Sequence, residues 1–348
     1  MKRYILLMMC LLAVAARGGA ESPPTPFNAY DGDVPDARAI AMGEAFVSVG
    51  NSPAMVVYNP AGLTGITSNL FSATIEVTRQ SALTTDEVFS GEALTNTNFQ
   101  FLALTGPKGS LSWRPLCNET STVYSGANWV QSQVKINAVT IAAAQQNSAT
   151  VSTGLSLSYL MGTIAQSSLT NGIPFIELAN GNGASADFGV LWALSHQIHL
   201  GLNLNNIFGM MWWDDFGSEQ LPFSIHAGIS FQITQFMNFA CDWDKFYYRK
   251  DPDTDTDFTV DPEIGQTPDY IHFGLEQWLG KILALRVGAF SNDFNNQENN
   301  HFTAGLGYCS SGYSLSLACE QYRVLQTDVY RYVLSLDAPF STSSSSEK

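Results

Sequence analysis

The chain is short of charge. Asp, Glu, Lys and Arg together make up 14% of its 348 residues, against roughly 25% in an ordinary soluble domain. Basic residues are the scarcest, 16 Lys and Arg beside 31 Asp and Glu, for a net charge of -15. That balance argues against a nucleic-acid partner, whose phosphates are held mainly by Lys and Arg. Cysteines are few, five in all, and lack the dense spacing of a small stapled domain. Beyond the first 20 residues no apolar run approaches the ~18–20 residues of a membrane-spanning helix. No Ser-His-Asp, zinc-ligand or nucleotide-binding pattern stands out, and His196, His199, His226, His272 and His301 are scattered. The expectation is a non-enzyme without cofactor or metal. The missing charge is replaced by Ser, Thr, Asn, Gln and 28 Gly, while apolar residues stay at 45%. Such a chain is a soluble all-β protein, or a membrane protein whose apolar residues alternate.

Lys2 and Arg3 precede an apolar stretch, Tyr4 to Ala16, followed by Gly18, Gly19 and Ala20. This is the layout of a secretory signal peptide, with cleavage expected after Ala20. Loss of Lys2, Arg3 and Arg17 takes the expected mature charge to -18. Cys117, Cys241, Cys309 and Cys319 remain; two disulfides are permitted by the count, but free thiols are expected.

From residue 70 onward, segments of about ten residues alternate apolar with small or polar side chains, the mark of half-buried strands. Ile198, Leu200, Leu202 and Leu204 interleave with His199, Gly201, Asn203 and Asn205. Phe302, Ala304, Leu306 and Tyr308 interleave with His301, Thr303, Gly305 and Gly307. About fourteen such segments lie near 70–79, 98–106, 109–117, 130–143, 149–161, 185–194, 197–206, 222–231, 235–244, 269–278, 282–291, 300–309, 313–322 and 327–337. Tight turns follow the even-numbered segments. Longer polar loops follow the odd ones, near 80–97, 118–129, 162–184, 207–221 and 245–268. An even count with long connections at one end and turns at the other is the outer-membrane barrel pattern. The predicted fold is an all-β transmembrane barrel of about 14 antiparallel strands. In that register Glu76, Asp242, Glu276, Arg286, Glu320 and Arg331 all point inward, away from a lipid face where Arg or Lys costs ~2–4 kcal/mol.

Residues 21–66 do not alternate, and contain Pro23, Pro24, Pro26, Pro35, Pro53 and Pro60. From Asp36 to Leu63 they read DARAIAMGEAFVSVGNSPAMVVYNPAGL. This stretch resembles the amino-terminal hatch of the long-chain fatty-acid outer-membrane transporter family (FadL/TodX-like), including its spirochaete-type and PorV-like branches. The matching residues are Ala37, Arg38, Met42, Gly43, Ala45 and Phe46, then Asn59, Pro60 and Ala61. LPFSIHAGISF (221–231), IHFGLEQW (271–278) and ALRVGAF (284–290) resemble strands of the PorV-like branch. The resemblance implies a fourteen-stranded barrel with a partly helical hatch or plug in its lumen, and passive uptake of long-chain fatty acids or other hydrophobic small molecules. It also implies a capture groove on external loops and a sideways exit into outer-membrane lipid. The PorV-like branch implies a second reading, a secretion-associated or structural barrel that docks exported proteins. The expected organisation is signal peptide 1–20, hatch 21–66, barrel 67–340 and polar tail 341–348. On this reading Gly43 and Ala45 lie on a short helix close to the wall, and the Asn59-Pro60-Ala61 turn pins the hatch where it meets the first strand.

Three local features invite a binding role. The expected loop after residue 206 carries Ile207, Phe208, Met210, Met211, Trp212 and Trp213, an apolar patch that suits an acyl chain or an aromatic girdle at the membrane interface. Phe175 and Ile176 on the 162–184 loop could form an opposing wall. Asp251, Asp253, Asp255 and Asp257 alternate, but Thr256 and Pro262 stand where a calcium loop needs Gly and Glu, so a solvated acidic loop is the better reading. Pro115 removes a ladder donor inside an otherwise poor strand, which either breaks the wall near Trp113 to Leu116 or ends the strand at the rim. If the long connections are external, a tag inserted near Asp255 is labelled on intact cells and one near Ser311 is not. Labelling at Ser311 alone would reverse the orientation.

Overall fold

The computed structural model describes residues 29–30, 36–80, 82, 97–125, 128–170, 173–247 and 268–340. The expected signal peptide, the acidic run 251–257 and the tail 341–348 lie outside these residues. Fifteen strands form one antiparallel sheet. They are β1 Leu70–Arg79, β2 Asn98–Gly106, β3 Gly109–Ser125, β4 Asn128–Gln146, β5 Val151–Thr170, β6 Ile173–Ala193, β7 Ile198–Trp213 and β8 Ser218–Gln220. The remainder are β9 Phe223–Thr234, β10 Met237–Tyr247, β11 Asp269–Leu279, β12 Leu283–Ser291, β13 His301–Ser310, β14 Tyr313–Val324 and β15 Thr327–Pro339. β15 returns to pair with β1, Leu70 opposite Pro339 and Arg79 opposite Tyr330, and the β6–β7 and β7–β9 ladders complete the ring. β8 is a three-residue addition to β7. The wall is therefore a closed barrel of 14 antiparallel strands.

Alternation sorts the side chains as the sequence requires. Glu76, Asp242, Glu276, Arg286, Glu320 and Arg331 are all buried, while Leu157, Val287, Leu306 and Leu317 stand exposed on the outer face. The four cysteines among the described residues, Cys117, Cys241, Cys309 and Cys319, are free.

Five strands are longer than their apolar alternation suggests. The expected loops at 118–129 and 162–184 are hairpin extensions of β3–β4 and β5–β6, and 207–213 continues β7. The reason is physical: roughly 9–11 residues cross a bilayer, whereas β5 has 20. Beyond the lipid the outer face can be polar, so Ser, Thr and Gln replace the apolar alternate while the ladder continues.

Residues 36–66 lie against the inner face of this wall. Two short helices, α1 Ala37–Ala41 and α2 Met55–Tyr58, are followed by a 3-10 turn, Pro60–Gly65. Asp36 caps α1 by accepting from the Arg38 amide at 2.9 Å. The hydrogen bonds of the segment run around the ring. The Ala37 amide donates to Ser335 on β15 (2.9 Å), the Gly43 amide to Thr303 on β13 (3.0 Å) and the Val47 amide to Asp242 on β10 (2.7 Å). Ser230 on β9 donates to the Ser48 carbonyl at 3.2 Å, and Thr64 donates to Ser152 on β5 at 3.1 Å. Phe46, Met55, Val56 and Leu63 form a core with wall residues Phe101, Ala103, Ala142 and Ala240.

Two sequence expectations are corrected here. Gly43 is not helical: it follows α1 with φ +60°, and a Cβ there would lie 2.5 Å from the Ala289 amide nitrogen. Asn59 caps the 3-10 turn by accepting from Ala61 at 3.1 Å, but its amide donates to the Val47 carbonyl (2.9 Å) and to Val190 on β6 (3.0 Å). The Asn59-Pro60-Ala61 turn is thus fastened to β6, far around the ring from β1. Gly280 also has positive φ, +68°, but nothing lies within 4 Å of its Cβ position. Gly280→Ala should therefore lower stability by only the ~1–2 kcal/mol of a left-handed backbone. Gly43→Ala should lower it by clearly more, read as the urea midpoint of the refolded barrel. Equal midpoints would refute the close docking of the segment.

Candidate functional site

Most charged side chains on the inner wall pair with one another or with the amino-terminal segment, while Asp187 accepts from Ser156 and the Asn206 amide and Asp337 accepts from Ser72. Glu276 on β11 accepts both Arg38 (Nε 2.8 Å, Nη2 2.9 Å) and Arg286 on β12 (Nε 2.8 Å). Arg38 also lies over the Phe46 ring, 5.4 Å from its centroid. Arg331 on β15 donates to Glu76 (2.7 Å) and to Glu320 (3.2 Å), and Glu320 is 2.6 Å from His301. Asp244 on β10 lies between His226 (2.9 Å) and His272 (3.2 Å), and His272 donates through Nδ1 to the Gly43 carbonyl at 2.9 Å. Buried ions require such partners, because an uncompensated one costs several kcal/mol.

Glu44 is the exception. It follows Gly43 with φ +64°, and no hydrogen bond or ion pair among the described residues holds its carboxyl. Its backbone is fixed on both sides, by Gly43 against β11–β13 and by Val47 on Asp242. Burial, and secondarily the Glu320 carboxylate, push its carboxyl up to about 8.

Glu44 faces a cavity of about 840 Å³, within the range that holds a small organic ligand. One side is formed by aromatic rings from successive strands: Phe246, Tyr270, His272, Phe290, His301 and Tyr322. His272 and Phe290 stack at 5.1 Å, Phe290 and His301 at 4.2 Å, and His301 and Tyr322 at 5.0 Å, with interplanar angles of 15–20°. Strand spacing of ~4.8 Å sets this repeat, and face-to-face stacking along the wall leaves ring edges toward the lumen. A second cavity, about 160 Å³, shares Glu44, Leu116, Asp244 and Phe246 with the first.

On the opposite side of the large cavity the β2–β3 ladder ends. The β2–β3 ladder runs only from Gly106–Gly109 to Leu102–Trp113 among the described residues. Just beyond it each strand carries a bulge against its other neighbour. Gln100 is skipped in the β1–β2 ladder, and Leu116, next to Pro115, is skipped in the β3–β4 ladder. Phe99, Gln100, Trp113, Pro115 and Leu116 line the cavity here. On β4, Val134, Ile136 and Ala138 are buried, so Lys135 and Asn137 lie on the other face; both line the same cavity, as does Asn118, the ladder partner of Lys135. The cavity is bounded by both faces of the wall. Strand β3 continues past Pro115 to Ser125, so the proline does not end the strand.

The other expected site residues are divided. Ile207, Phe208, Met210, Met211, Trp212 and Trp213 are on strand β7, not on a loop. Met211 and Trp213 are buried in an inner cluster with Val134, Ile136 and Leu160, fitted over Gly162 and Gly181, where a Cβ would come within 2.5 Å of the Trp213 ring. Ile207 and Phe208 are exposed outward. Phe175 and Ile176 are exposed near the tip of β6, beyond Gly181–Trp213, where the β6–β7 ladder begins, so they do not oppose the β7 patch as a second wall. The sequence reading missed Glu44 and the ring row. A usable signal existed for the row: Phe246, Phe290 and Tyr322 fall near strand ends, and Tyr270 and His301 near strand starts, which places all of them at one height.

Solved structures share this fold. The chain is similar to the P. putida toluene transporter TodX (TM-score 0.60, 13% identity, 90% of this chain and 100% of that one). It is also similar to the CymD monoaromatic hydrocarbon channel (0.59, 14%, 90% and 99%) and to a Pseudomonas aeruginosa FadL homologue (0.58, 10%, 93% and 100%). No family model matches the sequence, and no curated protein matches it. The Glu276 network makes a prediction for the site's framework. Glu276→Ala leaves Arg38 and Arg286 facing each other and should lower stability by ~3–5 kcal/mol, measured by urea unfolding of the refolded barrel. A loss below 1 kcal/mol would mean that this network does not fasten the segment.

Proposed function

We propose that the chain is an outer-membrane channel for passive uptake of hydrophobic small molecules, with residues 36–66 as its plug. Cargo enters from the end with the long hairpins, where Phe175, Ile176, Ile207 and Phe208 offer exposed apolar surface. It reaches the chamber beside Glu44 and leaves sideways between β2 and β3. The observation that carries this reading is the 840 Å³ cavity bounded by both faces of the wall beside Pro115. A sideways exit is favoured energetically, since each CH₂ exposed to water costs ~0.8 kcal/mol, whereas passage into lipid keeps cargo covered. The plug closes the straight aqueous route and makes the side route the path of least cost.

Long-chain fatty acids are the cargo implied by the sequence resemblance. Structures of similar fold are named for toluene and monoaromatic hydrocarbons, and ring edges facing the chamber favour a flat aromatic guest, because ring edges attract the faces of other rings. Compact aromatic molecules are therefore the proposed cargo. In a background with the four mature-chain cysteines replaced by serine, Leu116→Cys carrying a bulky methanethiosulfonate adduct should abolish ethylbenzene uptake, with recovery on reduction. The same adduct on Leu157→Cys, on the outer face of β5, should leave uptake intact. Full uptake through the Leu116 adduct would exclude the side route.

A further inference from the structure

The chamber has a charge as well as a shape. Its lining carboxylates are Glu44, Glu76, Glu119, Asp244 and Glu320, beside Arg331, Lys135 and the histidines His272 and His301, and Lys135 lies on the outer side of the gap. Glu76, Glu320 and Asp244 are engaged by Arg331, His301, His226 and His272. Glu44 is left with an unengaged carboxyl between the ring row and the second cavity. Its backbone is held in a left-handed conformation by flanking residues bonded to β10, β11 and β13. A carboxyl on a firmly held backbone, without a hydrogen-bond partner among the described residues and beside a row of ring edges, is complementary to a guest that carries both a ring and a hydrogen-bond-donating cation.

Resting on the channel reading above, we propose that the chamber is a binding site for aromatic amines, with the protonated amine donating to Glu44 and the ring seated against Phe290, His301 and Tyr322. A bound ammonium replaces the water that the Glu44 carboxylate loses on burial and offsets its repulsion from Glu320. A carboxylate guest meets the opposite situation once Glu44 is ionised, because two carboxylates repel each other where the ammonium is attracted. The chamber thus discriminates by charge among molecules of one size, which a purely apolar slot cannot do.

The groups facing Glu44 are Glu320, His272, Arg331, Asp244 and Tyr58. Because its carboxyl is raised to about 8, Glu44 is largely neutral below that pH and becomes a carboxylate above it. Affinity for an amine that stays protonated should therefore rise from pH 7 to pH 9, and affinity for a neutral ring should not.

Three phenylalkyl compounds separate the possibilities: 2-phenylethylamine, ethylbenzene and 3-phenylpropionate, titrated calorimetrically into the full chain held in amphipol. At pH 9 the amine should bind about tenfold tighter than ethylbenzene, the scale of one hydrogen bond to a charged group, and the acid should bind most weakly. In Glu44→Gln, verified as folded by its heat-modifiable gel mobility, the amine-to-ethylbenzene ratio should fall to about one and the pH dependence should vanish. An amine bound no tighter than ethylbenzene, or an unchanged ratio in Glu44→Gln, would overturn the amine site while leaving the channel reading in place. Absence of saturable binding by all three compounds would remove the chamber as a cargo site and the channel reading with it.

Discussion

A β-strand in hydrocarbon must find a partner for every backbone N–H and C=O, because lipid offers none. Closing the sheet on itself is the only way to satisfy both edges, and the β1–β15 ladder does so along ten paired positions. Everything inside the wall follows from that closure. Alternation sends one side-chain set to lipid and the other inward, so polar and charged groups collect in a narrow space where they must pair. The same constraint makes any interruption conspicuous. Where the β2–β3 ladder ends at Leu102–Trp113, each strand carries a bulge, and Pro115 has no amide hydrogen to leave unbonded. Proline at the parted edge is the residue that loses least by the parting.

Barrel and amino-terminal segment solve each other's polar accounting. A short helix and two turns expose backbone amides, and inward-facing Ser335, Thr303 and Asp242 accept them. Arg38 in turn adds a second cation to Glu276. Close approach at Gly43 is possible because Gly274 and Gly288 lie opposite; a Cβ on Gly288 would come within 2.1 Å of the Gly43 nitrogen. The interlocking is steric and electrostatic at once, and it places Glu44 over the cavity rather than against a partner.

The barrel was legible because the membrane imposes a strict period of two. The six inward charges and the bounds of β1, β2 and β11 to β15 follow from alternation to within two residues. Legibility ended where the constraint ends. In β5 and β6, Ser167, Ser168, Asn180 and Asn182 carry the ladder outward without strict apolar alternation, so these residues read as loop. The Met-Trp run of β7 read as a surface patch, because only three-dimensional register reveals that Met211 and Trp213 pack over glycines of β5 and β6. Pro115 was visible as a local defect, whereas the bulge at Gln100 that matches it carries no residue signature. Glu44 was invisible for a different reason. In the sequence Met42-Gly43-Glu44-Ala45 a glutamate looks like the solvent side of a helix, and its role depends on a positive φ and on neighbours more than two hundred residues away.

The central claim is that cargo occupies the chamber between Glu44, the ring row and the parted β2–β3 ladder. Anomalous diffraction from crystals soaked in 4-bromophenethylamine tests it most directly. The account predicts one dominant bromine peak inside the barrel, beside Phe290, His301 and Tyr322, with the amine toward Glu44. Bromine confined to the lipid-facing surface or to the hairpin tips, with the chamber empty, would contradict it.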